Sequence, residues 1–205
     1  TKTGYTFLGW FDGNTNVTSI STTDTGNKSY TAKWQANTYT VTLNADGGTI
    51  NAGDITSYTY GIGATLPTDV TKTGYTFLGW FDGNTKVTTI GTTDTGVKTY
   101  LAHWAANDSP VAVYAIVDGV TETQPIATVV PKYDAKVLPE LNKLTAATLD
   151  RYGYDRAAGF FAANSDAIDI NTLAQTYDKV YVRYTSKLFT VTFRTGGGSS
   201  VSAQQ

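Results

Sequence analysis

The sequence predicts a mainly β protein, α+β in its third unit, built as a string of small tandem domains. Thr1 to Thr15 returns letter for letter as Thr71 to Thr85, and the copy runs on with scattered changes to Trp104, where Trp34 stood before. A period of about seventy residues is longer than that of helical solenoids and suits domains that each hold a core. Within the copies, apolar and polar residues alternate with the period of two that puts one set of side chains on a sheet core. Glycine-rich turns separate these runs.

The elements follow in order. Tyr39, Val41 and Leu43 alternate with Thr38, Thr40 and Thr42, a half-buried strand that stops at Asp46-Gly47-Gly48, where glycine permits the positive φ of a tight turn. Ser57 to Tyr60 reads as a second strand, and Gly61, Gly63 and Pro67 break the chain before a third, Gly74 to Phe81. Gly79 inside that run predicts a bulge that brings Phe77 and Trp80 onto one face. Asp82-Gly83-Asn84 then turns the chain towards a last strand, Lys98 to Trp104. The copies differ there at Ser29/Thr99, Thr31/Leu101 and Lys33/His103, while Tyr100, Ala102 and Trp104 match Tyr30, Ala32 and Trp34. The unchanged set is predicted to face inward. A unit of this size without disulfide or metal has a thin stability margin, so its aromatic side chains should carry the core. The expected core of the second unit is Tyr39, Val41, Leu43, Tyr75, Phe77, Trp80, Tyr100 and Trp104.

Asn107 to Tyr184 fits the same template. Val111 to Val117 with Asp118-Gly119 takes the place of the first strand and its turn, and Leu138-Pro139 that of Leu66-Pro67. Gly153-Tyr154 and Gly159-Phe160-Phe161 stand for Gly74-Tyr75 and Gly79-Trp80-Phe81. Val180, Val182 and Tyr184 replace Tyr100, Ala102 and Trp104, and Arg183 falls where Lys33 and His103 stand. Phe160, Val182 and Tyr184 are therefore expected in this unit's core. Its novelty is a predicted helix over about residues 139–150, with Pro139 in the first turn, Leu141, Leu144 and Leu149 towards the sheet, and Gly153 ending it. Leu188 to Phe193 with Gly196 to Gly198 then repeats Thr38 to Leu43 and its turn. The organisation reads as 1–35, the C-terminal half of a repeat; 36–105, a complete repeat; 106–186, a diverged repeat; and 187–205, the first strand of a further repeat or a tail.

Tyr39-Thr-Val-Thr-Leu43, Asp46-Gly-Gly48, Leu66-Pro67, Thr73-Gly-Tyr-Thr-Phe-Leu-Gly-Trp80 and Tyr100-Leu-Ala-His-Trp104 together resemble the Listeria–Bacteroides repeat family, the B-repeat type of internalin B. The order and spacing match over about residues 36–104, and Thr1 to Trp34 matches the second half of the same unit. The resemblance implies tandem β-grasp, ubiquitin-like domains, extracellular on the bacterial cell surface, between a recognition domain and the wall. It carries over no catalytic residue.

Composition narrows the function further. Fifteen basic and 17 acidic residues give a formal net charge of −2 with no basic cluster, which argues against nucleic acid and anionic membrane as partners. No apolar run is long enough to span a membrane. Cysteine and methionine are absent, which rules out disulfides and suits an oxidising exterior. The chain begins inside a repeat without a start methionine or leader, which predicts a segment of something longer or a processed product.

Chemistry is scarce. His103, the single histidine, is Lys33 in the other copy, so a solvent-facing strand position is the reading. Asp12, Asn14 and Asn16 have the alternate spacing of a calcium loop but lack its glycine and bidentate glutamate, and Lys86 replaces Asn16 in the copy. An ordinary Asp-Gly-Asn turn is the plainer account. Asn16, Asn27 and Asn107 head glycosylation triplets, two of which vanish in the copy. Leu66-Pro67-Thr68-Asp69 departs from a sortase signal. A lysine joined to an asparagine or aspartate inside the core would lower the intact mass by one ammonia or one water.

No cofactor, metal or catalytic residue is expected, and the chain reads as a non-enzymatic stalk or spacer in an adhesin-like protein. Its nearest partners are neighbouring repeats of the same chain. Two other readings stay open. Aromatics such as Tyr5, Tyr58 and Tyr75 could bind a glycan or protein. The half-repeats at the two ends are either segment boundaries or a head-to-tail joint, in which the last strand of one chain completes the opening half-repeat of the next to form a fibre.

Overall fold

A computed structural model describes residues 1–163, 166–189 and 191. The chain divides between Ala105 and Ala106 into two compact units.

In the first unit, β1 (Tyr5–Asp12), β2 (Thr15–Val17) and β3 (Thr31–Ala36) form an antiparallel sheet in the order β2-β1-β3. Asp12 pairs with Thr15 across a two-residue turn in which Gly13 has φ +60°. The β1–β3 register slips between Phe7 and Gly9, the bulge anticipated from the repeated Gly-Trp. Gly9 and Gly79 both take φ near +130°, and the kink brings Phe77 and Trp80 into edge contact, with ring centroids 5.6 Å apart.

The complete repeat contains β4 (Thr38–Asn44), β5 (Thr49–Ile50), β6 (Ser57–Thr59), β7 (Ala64–Thr65), β8 (Val70–Thr71), β9 (Tyr75–Asp82), β10 (Thr85–Val87), β11 (Thr89–Ile90) and β12 (Lys98–Ala106). Five of them make a sheet ordered β10-β9-β12-β4-β6, in which the first and last long strands, β4 and β12, run parallel side by side. Two short ribbons, β5–β8 and β7–β11, fold over it. No helix occurs among the described residues of this unit. The crossover between β7 and β8 covers the sheet instead, burying Leu66 and Val70, and the Pro67 carbonyl accepts the Trp80 indole N–H at 2.8 Å. Gly48 is required where the chain passes Trp104, since a Cβ there would lie 2.4 Å from the indole.

Val41, Trp80 and Tyr100 are buried, with Tyr58, Leu66, Val70, Ile90 and Ala102 completing the cluster. Tyr39, Leu43, Phe77 and Trp104 are half-buried against it, and Tyr75 is half-buried with the Lys72 ammonium 4.7 Å from its ring centroid.

The second unit contains β13 (Val111–Val117), β14 (Val120–Thr121), β15 (Ala127–Val129), α1 (Leu138–Leu141), α2 (Ala146–Leu149), β16 (Tyr154–Arg156) and β17 (Lys179–Ser186). β17 lies between β16 and a parallel β13, and β15 pairs antiparallel with β13. That order, β16-β17-β13-β15, matches β9-β12-β4-β6 strand for strand. Phe160, Val182 and Tyr184 are buried with Val111, Val113, Val180 and Leu141. The expected helix is corrected: residues 138–149 form two single turns. Thr145 is extended (φ −82°, ψ 161°) and begins the second turn, and the Asn142–Leu144 amides close tight local bonds to Leu138, Glu140 and Leu141. Asn and β-branched Thr are weak helix formers at such a break. Leu141 and Leu149 still reach the core, and Leu144 packs against its edge.

Among the described residues no polar or charged side chain is buried. The enclosed lysine that an isopeptide cross-link needs is not present among them. The expected strand from Leu188 to Phe193 and its glycine turn lie largely outside the described residues, which include only Leu188, Phe189 and Val191 of that run.

Candidate functional site

The outward side of the last strand carries one feature three times. Lys33 Nζ sits 4.4 Å from the Phe11 ring centroid, His103 stacks on Phe81 at 4.1 Å with 9° between planes, and the Arg183 guanidinium lies 4.6 Å from the Phe161 ring. A cation over an aromatic face is attracted by the ring quadrupole, as at Lys33 and Arg183, whereas His103 makes a parallel ring stack. The single histidine is thus a ring-stacking strand residue, and its two counterparts keep the geometry with different chemistry.

The candidate calcium loop is otherwise engaged. Lys33 Nζ donates to Asn14 Oδ1 at 3.3 Å, and the Asn16 amide donates to the Leu8 carbonyl at 3.3 Å, bracing the bulge. No cluster of three or more His, Asp or Glu able to hold a metal occurs among the described residues.

The aromatic platforms suggested for ligand binding are mostly occupied. Tyr58 is corrected outright: it is 3 % exposed, and its hydroxyl donates to the Gly96 carbonyl at 2.7 Å. Burial, and secondarily Asp94, raises its pKa above the usual tyrosine value. Tyr5 stands edge-on to Tyr60 at 5.4 Å with Lys2 over its ring. This contact, with the Asn37 N–H bonded to the Gly4 carbonyl, ties residues 1–36 to the complete repeat.

Residues 1–36 carry an open apolar face that the complete repeat keeps covered. Trp10 and Ile20 are 52 % and 61 % exposed, whereas their copies Trp80 and Ile90 are 2 % and 3 % exposed. Two grooves of about 530 and 400 Å³ meet along Trp10, one also lined by Tyr5, Phe7 and Trp34 and the other by Ile20 and Tyr30. The contrast is confined to one face: outward-pointing Leu8 and Leu78 are 47 % and 43 % exposed, nearly alike.

In the second unit, Arg151 grips Glu122 with both guanidinium nitrogens while its face lies 5.2 Å from the Tyr184 ring, and the Tyr184 hydroxyl donates to the Leu149 carbonyl. Asp118 accepts the Ser186 N–H at 2.9 Å and its hydroxyl. The Arg151 hydrogen bonds hold Glu122 below the ordinary carboxylate range, and those from Ser186 do the same for Asp118. Both folded-state pKa values are depressed, so their stabilisation is complete above the unfolded values, about 4.3 for Glu and 3.9 for Asp, and is lost as pH falls through the folded ones. Urea midpoints followed from pH 6 to 2 should therefore fall on this acid limb, and Glu122→Gln should flatten it. An unchanged slope in that variant would remove Glu122 as the cause. Sequence patterning missed this clamp because Glu122 and Arg151 are 29 residues apart and neither lies on a periodic face.

The profile of the Listeria-Bacteroides repeat domain matches residues 1–33 and 39–103. Internalin H of Listeria monocytogenes serovar 1/2a is 35% identical over 118 residues, which cover 54% of this chain and 21% of that protein. The chain thus spans about a fifth of the length of that relative.

Proposed function

We propose, from the match of residues 1–33 and 39–103 to the Listeria-Bacteroides repeat domain family, that the chain is a non-catalytic stalk or spacer in a bacterial cell-surface protein. The family match and the similarity to an internalin support a surface location. The shared strand order of the two units supports a tandem β-grasp description, with two short helical turns added in the second.

The observation that carries the mechanical reading is the parallel pairing of terminal strands. β4 and β12 pair from Val41↔Lys98 to Asn44↔Leu101, and β13 and β17 from Ala112↔Lys179 to Val117↔Tyr184. Tension entering at the start of the first strand and leaving at the end of the last pulls the two strands past each other. Every ladder hydrogen bond is then loaded together, whereas pulling at adjacent strand ends breaks them singly. Forced unfolding is governed by the unfolding rate, so pulling direction should matter at fixed stability. In single-molecule pulling, handles at Asn37 and Ala106 are expected to meet a clearly higher unfolding force than handles at Asn37 and Val97, which unzip the same pair. Equal forces would defeat the load-bearing reading. An adhesive role has less support, since Tyr58 is inside the core.

A further inference from the structure

The outward face of the second unit carries two cations that no oxygen engages. β17 places Val180, Val182 and Tyr184 in the core and Lys179, Tyr181, Arg183 and Thr185 on the other side, where Tyr114 and Ile116 of β13 stand beside Tyr181 and Arg183. Every other described lysine or arginine of this unit has an oxygen partner. Lys132, Lys143, Arg151, Arg156 and Lys187 pair with carboxylates, and Lys136 donates to Asn171 Oδ1 at 3.2 Å. Lys179 and Arg183 meet only rings among the described residues, with centroids at 5.6 Å for Tyr114 and 4.6 Å for Phe161. In the complete repeat the same places hold Thr99 and His103, and Lys33 of the opening half-repeat is engaged by Asn14.

Two clefts of about 560 and 250 Å³ meet at Arg183. Tyr184 and Thr185 line both, with Asp118 and Thr121 in the larger and Asp155 in the smaller. Arginine offers five N–H donors in a plane and no acceptor, so an open cleft around an unpaired one selects an anion, and a carboxylate fits its fork in bidentate fashion. The Phe161 ring limits the positions of the guanidinium, which reduces the entropy lost on binding. The rest of the lining narrows the class of ligand. Asp118 and Asp155 repel a chain charged along its whole length, such as nucleic acid or polyglutamate, yet each is a strong acceptor for hydroxyl groups. Asp118 accepts two hydrogen bonds from Ser186 and keeps lone pairs free, and Thr121 and Thr185 add hydroxyls of their own. A ligand with one carboxylate per ring and several hydroxyls satisfies every one of these groups. We infer that the clefts bind a saccharide bearing a carboxylate, a uronic acid of a glycan, with the carboxylate on Arg183 and ring hydroxyls on Asp118, Asp155 and the threonines. The larger cleft has the volume of a small-ligand site. This site is separate from the aromatic platforms of the first unit, and the inference is independent of the stalk reading, which rests on strand pairing.

Amide NMR of the full isotope-labelled chain, titrated with trigalacturonate, tests this against two other probes. The fully methyl-esterified trisaccharide keeps the ring hydroxyls and loses the charge, and triglutamate keeps the charge and loses the rings. Trigalacturonate should shift the Gly119, Thr121 and Thr185 amides saturably, and the other two should bind at least about tenfold more weakly. Arg183→Gln should weaken trigalacturonate binding by about tenfold or more, the usual loss for a charge-assisted pair. Lys179→Gln removes an equally unpaired cation outside the clefts and should cost about twofold. Absence of a saturable shift would overturn the inference, as would equal binding of the ester or of triglutamate. Equal losses in the two variants would also overturn it, since a diffuse positive field and not a site would then be responsible. If Arg183→Gln disturbs amides throughout the unit, the comparison of the three probes on the wild-type chain decides.

Discussion

Trp80→Ala is expected to destabilise the first unit by about 3–5 kcal/mol, whereas Trp10→Ala, at the same place in an identical stretch of sequence, should cost about 1 kcal/mol or less. Trp80 is 2 % exposed within the cluster of Val41, Leu66, Ile90 and Tyr100. Truncation would leave a cavity that a rigid sheet cannot close and would strip the Pro67 carbonyl of its 2.8 Å indole donor. Trp10 is 52 % exposed and its main aromatic contact is Phe7, at 5.7 Å. An edge contact of that kind is worth about 0.5–1.5 kcal/mol. All four tryptophans lie in this unit, so the emission of the remaining three reports its urea transition without interference from the second unit. Losses of equal size at the two positions would mean that residues 1–36 are covered in solution.

This pair of tryptophans also marks the limit of what could be read from the sequence. The repeat made the strand alternation, the bulge at Gly79 and the inward set Tyr100 and Ala102 legible, because each is a local, periodic property. It also allowed Phe160, Val182 and Tyr184 to be placed in a unit of otherwise different sequence. It could not distinguish Trp10 from Trp80, since their surroundings differ only through segments remote in the chain. Ser57–Thr59 is the expected strand, but the side on which Tyr58 lies was hidden for a related reason. Alternation there puts Tyr58 and Tyr60 on one face but does not say whether that face is inside, and the tertiary contact with Gly96 decides for Tyr58. Leu66 and Val70 belong to the core through a crossover with no period to reveal it. The helix expected over residues 139–150 broke at Asn142–Thr145, where the leucine spacing outlasted the backbone preference.

Gly63→Ala is the second substitution expected to be severe, at about 2–5 kcal/mol, and the reason is backbone rather than core volume. Gly63 has φ +73°, and a Cβ would fall 2.3 Å from the Ile90 carbonyl oxygen and 3.2 Å from the Gly91 carbonyl carbon. The left-handed conformation alone costs a non-glycine residue about 1–2 kcal/mol. The overlap adds the roughly 1–3 kcal/mol typical of overpacking, because the atoms in the way belong to main chain that cannot rotate aside. Relief would require parting Ala64–Thr65 from Thr89–Ile90, the ribbon that seats Ile90 and Leu66 over Trp80. Gly83 isolates the steric part: it has φ +56° with nothing within 4 Å of a Cβ, so Gly83→Ala should cost only the conformational share. Urea midpoints from tryptophan emission should therefore fall for both variants and further for Gly63→Ala. Near-equal losses would show that the β7–β11 ribbon yields without cost, and Ile90 would then no longer be fixed in the core by its backbone.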